Sequence, residues 1–137
     1  MADDLDTFLS ALQTKWAAVT GIEAAPTHPP EQVNEPGTVV SYIVRGRPSN
    51  YHAGTWVHEG RSDVYIGRSD LYHDETYARP FILRGLDMFA GNVAMSSSCE
   101  GVLVMGYDYG ALQGTDWIVI RFEWEAKIQH TALNLSA

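Results

Sequence analysis

The chain has almost no cysteine. One thiol, Cys99, stands among 137 residues, so no disulfide can close within the chain and a disulfide-stapled fold is excluded. No apolar run approaches the roughly 20 residues that span a bilayer, and no membrane partner is expected. Basic residues are scarce: Lys and Arg number 9 against 17 Asp and Glu, a formal net charge of -8. Such a balance argues against a protein that gains affinity by gripping phosphates. It still allows a surface past which DNA moves without sticking. The nucleotide fingerprints GxGxxG and GxxxxGK[ST] are missing, as are HxH, HExxH and GxSxG. The opening residues, MADDLD, are acidic where a secretory signal would be basic, so we expect synthesis and first residence in a cytoplasm.

What the chain does have is apolar and aromatic surface. Hydrophobic residues make up 45%, with 4 Trp, 7 Tyr and 4 Phe, which suits a folded globular protein. The length fits one domain, residues 1–137. In DDLDTFLSALQTKWAAVTG, residues Leu5, Phe8, Leu9, Leu12, Trp16 and Val19 recur at helical spacing and predict an amphipathic helix stopped near Gly21. Residues 23–37, EAAPTHPPEQVNEPG, carry four prolines and read as a linker. TVVSYIVRG (38–46) reads as a strand, and TWVHEGRSDVYIG (55–67) as a hairpin with EGRSD at its turn. Ser69 or Asp70 suits the cap of a short helix. Pro80 then opens a second one, with Phe81, Ile82, Leu86 and Phe89 as its apolar face. GVLVMGYDYG (101–110) and DWIVIRFEWEAKIQH (116–130) are the closing strands. The expected fold is α+β: a mostly antiparallel sheet of about five strands, with an N-terminal and a central helix packed on one face.

In the last strand Trp117, Val119, Arg121, Glu123 and Glu125 fall on one side, and Ile118, Ile120, Phe122, Trp124 and Ala126 on the other. Two carboxylates two apart, Glu123 and Glu125, are the best charged pair for acid–base chemistry, yet a charged row on a strand is usually a solvated face. His73 beside Asp74 and Glu75 lacks metal-ligand spacing. SSSCEG holds serines and Cys99 with no local base. Arg45 and Arg47 in VRGRPSN form the only local basic pair and read as loop charges that meet an acidic neighbour. We expect no catalytic residue, no metal and no cofactor. Trp56, Tyr65, Tyr107, Tyr109, Trp117 and Trp124 are more large side chains than one small core absorbs, which points to an oligomer.

The capped helix DDLDTFLSALQTKWAAVTGI, the proline-rich linker, TVVSYIVRG, TWVHEGRSDVYIG, ARPFILRGLDMFAGN and the ending FEWEAKIQHTALN occur in an order that resembles the tail terminator and neck proteins of tailed bacteriophages. The resemblance is one of layout over nearly the whole chain. It implies a non-catalytic structural virion protein, assembled in the host cytoplasm. Its product would be a ring, commonly a hexamer, that caps the tail tube. A tube protein would lie below, a connector or head-completion protein above, and DNA would pass through without specific binding. Candidate interface or lumen residues are then Arg121, Glu123, Glu125, Arg45, Arg47, Trp56 and Trp117. The alternatives are a head-completion, connector or tail tube protein. From another class comes a small α+β ligand-binding or hydrolase domain that uses His73, Asp74 and Glu75 or Glu123 and Glu125.

Overall fold

A computed structural model describes residues 4–33, 35–49, 54–68, 75–112, 114–115 and 117–130. The helical stripe forms α1 (Asp4–Ala17), with Asp4 and Asp6 in the first turn and Lys15 in the last, charges that complement the helix dipole. The strands are β1 (Thr38–Pro48), β2 (Thr55–Arg68), β3 (Gly101–Ala111) and β4 (Trp117–Gln129), with α2 (Glu75–Gly91) between β2 and β3. They form one 4-stranded sheet in the order β1-β2-β4-β3, and every neighbouring pair is antiparallel. The α+β reading therefore holds, with four strands and not five among the described residues.

The strand count differs because residues 55–67 are not a hairpin. β2 runs straight through EGRSD, pairing Glu59, Gly60, Arg61, Ser62 and Asp63 with β4. Its hairpin partner is β1, and their connection includes residues 50–53, outside the described ones. The turn-like composition has a packing cause. A Cβ on Gly60 would come 2.4 Å from the Trp124 ring and 2.6 Å from the Tyr42 carbonyl, so only hydrogen fits there. Pro80 also differs from expectation: it lies inside α2 instead of opening it. The proline removes one backbone bond near the helix start, while the packed residues Phe81, Ile82, Leu86, Met88 and Phe89 follow it. The expected cap at Ser69 or Asp70 lies outside the described residues.

Both helices contribute to one core. Phe8 and Trp16 of α1 and Phe89 of α2 meet Trp124 and Phe122 of β4 at ring-centroid distances of 5.3 to 6.3 Å. Burial alternates along β4 as the two-faced pattern requires: Phe122, Trp124, Ala126 and Ile128 are buried, and the residues between them are half-buried. Between α2 and β3, Met95, Ser96 and Ser97 all have positive φ, a conformation non-glycine residues rarely hold. Met95 is fully buried there and anchors the turn.

A polar relay crosses this core. Trp124 Nε1 donates to Ser62 Oγ at 3.0 Å. Ser62 and Ser41 hydroxyls lie 2.7 Å apart, and Ser41 Oγ donates to Gln13 Oε1 at 2.6 Å. Gln13 Nε2 donates to the Val39 and Pro26 carbonyls, each at 2.9 Å. Because the Ser41 proton goes to Gln13, the Ser62 proton goes to Ser41, and the chain of donors has one direction. It joins β4, β2, β1, α1 and the linker.

Gln13→Leu leaves the Val39 and Pro26 carbonyls and the Ser41 hydroxyl without this partner; we expect a loss of about 2–3 kcal/mol in urea unfolding. Gly85→Ala would place a Cβ 2.5 Å from Phe122 and 2.9 Å from Trp16. Overpacking of about 1–3 kcal/mol outweighs the helix-propensity gain of about 1 kcal/mol, so the unfolding midpoint should fall. Gly106→Ala, with nothing within 4 Å, should scarcely move it.

Candidate functional site

The face of the sheet turned away from the helix contacts carries the charged residues singled out above. Strand register places Glu59 opposite Glu125, Arg61 opposite Glu123 and Asp63 opposite Arg121, with Asp108 of β3 also level with Arg121. Two carboxylates facing each other, Glu59 and Glu125, repel. Arg47 answers both, at 3.4 and 3.2 Å, and Arg45 adds a contact to Glu59 at 3.6 Å. Arg45 and Arg47 are thus strand residues, not loop charges, and the acids they meet belong to their own chain. Exposed pairs of this kind each contribute under about 1 kcal/mol. Their effect is to cancel charge: Arg45, Arg47, Arg61, Arg121 and Lys127 on this face are balanced by Glu59, Asp63, Asp108, Glu123 and Glu125.

One pair is sunk deeper. Asp63 is 3% exposed, and Arg121 grips it through Nε at 2.8 Å and Nη2 at 3.2 Å. The Tyr42 hydroxyl donates to the same carboxylate at 3.0 Å. These hydrogen bonds raise the Arg121 pKa and hold it charged. Burial, then the Asp63 charge, pushes the Tyr42 and Tyr65 hydroxyls up, so neither supplies a phenolate. Over this pair runs the proline-rich linker. Pro30, Gln32 and Val33 face Tyr42, Tyr65 and Trp117 across a groove of about 640 Å³. The linker is tied down at its ends, where Ala24 bridges Thr38 and Gln13 holds Pro26.

The structure divides the two candidate tryptophans. Trp117 is buried edge-on to Tyr65 at 5.5 Å, on the groove floor. Trp56 lies on the opposite face, its ring stacked 6.5 Å from His58. Of the six large aromatics, Trp117 and Trp124 are buried and Tyr107 is 47% exposed. Beside Tyr107 on the outer strand β3, Leu103 and Met105 are 65% and 58% exposed. This edge holds the main apolar surface that the sequence reading passed over; the alternation of Leu103 and Met105 within a strand was its visible sign.

No protein-family model matches the chain, and no curated protein matches it significantly. Chemistry must be judged from the side chains. Among the described residues no three His, Cys, Asp or Glu side chains gather as a metal set. His73 and Asp74 lie outside the described residues, and Glu75 opens α2. Cys99 is half-buried, and burial pushes its thiol up, away from a reactive thiolate. Glu125 is engaged by Arg47, and neither Glu123 nor Glu125 lines the groove.

Arg121→Met strips the cation from a buried carboxylate. We expect a loss of about 3 kcal/mol in guanidinium unfolding, with at least half recovered when Asp63→Asn is added. Equal losses in the single and double variants would show that the carboxylate charge is not what Arg121 offsets.

Proposed function

We propose that the chain is a structural virion protein of the tail–head junction of a tailed phage, a subunit that closes into a ring, commonly a hexamer in the proteins it resembles, between tail tube and connector. The observation that carries this reading is the outer edge of β3. Eleven residues long, it is the end strand of the sheet and bears exposed Leu103, Met105 and Tyr107. Solvent-exposed apolar edge strands are templates for pairing with another chain. The layout α1, linker, β1–β2, α2, β3–β4 supports the reading as well, now with a hairpin on each side of α2.

Topology adds a condition that favours a ring. β1 and β3 are the two outer strands, and the chain of antiparallel pairings makes them run in opposite directions. Joining β3 of one copy to β1 of the next therefore continues an antiparallel sheet. A head-to-tail joint of this type uses two different patches and closes into a cycle when the rotation per copy allows. The charge balance of the outer face bears on the Arg121, Glu123, Glu125 row. A negative lumen would repel DNA phosphates, but this row is matched by cations of its own chain and sits on the central strand β4, so the proposed joint rests on the strand edges and not on the row.

A second reading has one observation in its favour. The groove beneath the linker combines Tyr42, Tyr65 and Trp117 with a buried ion pair, as small-molecule sites often do. A ligand-binding monomer would use it.

Native mass spectrometry and electron microscopy of the full chain distinguish these readings. A closed particle of fixed copy number supports the ring terminator, long tubes support a tail tube protein, and a single-chain mass at every concentration overturns assembly. Leu103→Lys with Met105→Lys should shift the wild-type particle to single chains while leaving the far-ultraviolet circular dichroism unchanged.

A further inference from the structure

Away from the outer face, three side chains from distant parts of the chain converge. His58 Nε2 lies 2.7 Å from His130 Nε2, with ring centroids 4.9 Å apart and planes at 85°. His130 Nδ1 lies 3.5 Å from Asp4 Oδ2. The His130 backbone N–H donates to the Gly54 carbonyl at 2.6 Å. We infer that His58, His130 and Asp4 form a proton-operated clasp, tying the first turn of α1 and the residue after β4 to the start of β2, which opens when both rings are charged.

The chemistry of the contact sets its rule. Two ring nitrogens 2.7 Å apart need one N–H and one lone pair between them. With both rings neutral the contact forms. With one proton added, His130 pairs with Asp4 through Nδ1 and donates its Nε2–H to the lone pair of His58 Nε2. A second proton from water has to bind that same lone pair, and then two N–H groups point at each other. Among the described residues, no carboxylate faces His58 to offset this charge. Across β1 the ring meets Gly46, where a Cβ would come 2.9 Å from Nδ1. Across β4 it faces Ala126. From α1 comes Asp4, which faces the other histidine. Glu59 and Lys127, the nearest charges in sequence, project from the opposite face of the sheet.

The sign of the pH dependence follows. Burial, and then the charge on His130, lowers the His58 pKa below its ordinary 6.5. Between that lowered value and 6.5 the unfolded chain binds more protons than the folded one, so stability is present above 6.5 and is lost as pH falls through this window. The clasp works the same way in a ring subunit or in a free chain.

The test uses the full chain. Ring resonances followed by nuclear magnetic resonance should show one imidazole titrating clearly below the other. The thermal midpoint should fall by about 3 °C or more between about pH 7.5 and about pH 5.5, and His58→Gln and His130→Gln should each remove over half of that fall. A side chain that only packs would lower the midpoint equally at both pH values. Two rings titrating independently at ordinary values, or an undiminished fall in both variants, would overturn the clasp. If neither variant folds, the wild-type ring titration decides alone.

Discussion

The relay from Trp124 through Ser62 and Ser41 to Gln13 is the constraint on which the other parts depend. It is buried, so each of its members must find a partner or lose about 1–3 kcal/mol. It finds them only when α1, β1, β2 and β4 are all in place and the linker has brought the Pro26 carbonyl to Gln13. Ser41 and Ser62 are direct cross-strand partners, so the relay also specifies the β1–β2 alignment. A slip of β1 by one residue would send the Ser41 hydroxyl to the other face, away from Ser62 and Gln13. Anchoring Pro26 in this way fixes where the linker starts across the outer face and therefore where the groove above Asp63 and Arg121 lies.

That outer face and the outer strand β3 present different physics. The face is charged but self-compensated, with Arg47 relieving the repulsion between Glu59 and Glu125. The β3 edge is apolar and uncompensated. A surface that satisfies its own charges resists non-specific partners, whereas exposed Leu103 and Met105 gain by being covered. At the other end of the sheet β1 carries Arg45, Arg47 and Pro48, residue types that blunt an edge against indiscriminate pairing. The sheet thus has two chemically unlike ends.

Much of this was legible in the sequence where a single period governed. The stripe Phe8, Leu12, Trp16 defined α1, the alternation around Phe122 and Trp124 defined β4, and Phe81 to Phe89 defined the buried face of α2. What failed to show were demands set by distant neighbours. EGRSD reads as a turn because Gly60 and Ser62 answer the Trp124 ring and indole, while Glu59, Arg61 and Asp63 answer the charged face. Gln13 looks like an ordinary polar helix residue until the Val39 carbonyl is placed beside it. The row Arg121, Glu123, Glu125 was visible, but its partners Asp63 and Arg47 depend on strand order, which no local pattern encodes. His58 and His130 are 72 positions apart and carry no mutual signal.

The position of β4 has a kinetic consequence. It is the last strand along the chain and yet it is central, pairing with β2 on one side and β3 on the other. Until it arrives, the β1–β2 hairpin and β3 share no neighbour, and pairs such as Ser62 with Phe122 must close a loop of some sixty residues. Such high contact order slows folding relative to helical proteins of equal size. The long-range step is then the docking of the β3–β4 hairpin onto the β1–β2 hairpin along β2 and β4, and the unpaired edges of those two strands are at risk of aggregation until it is complete.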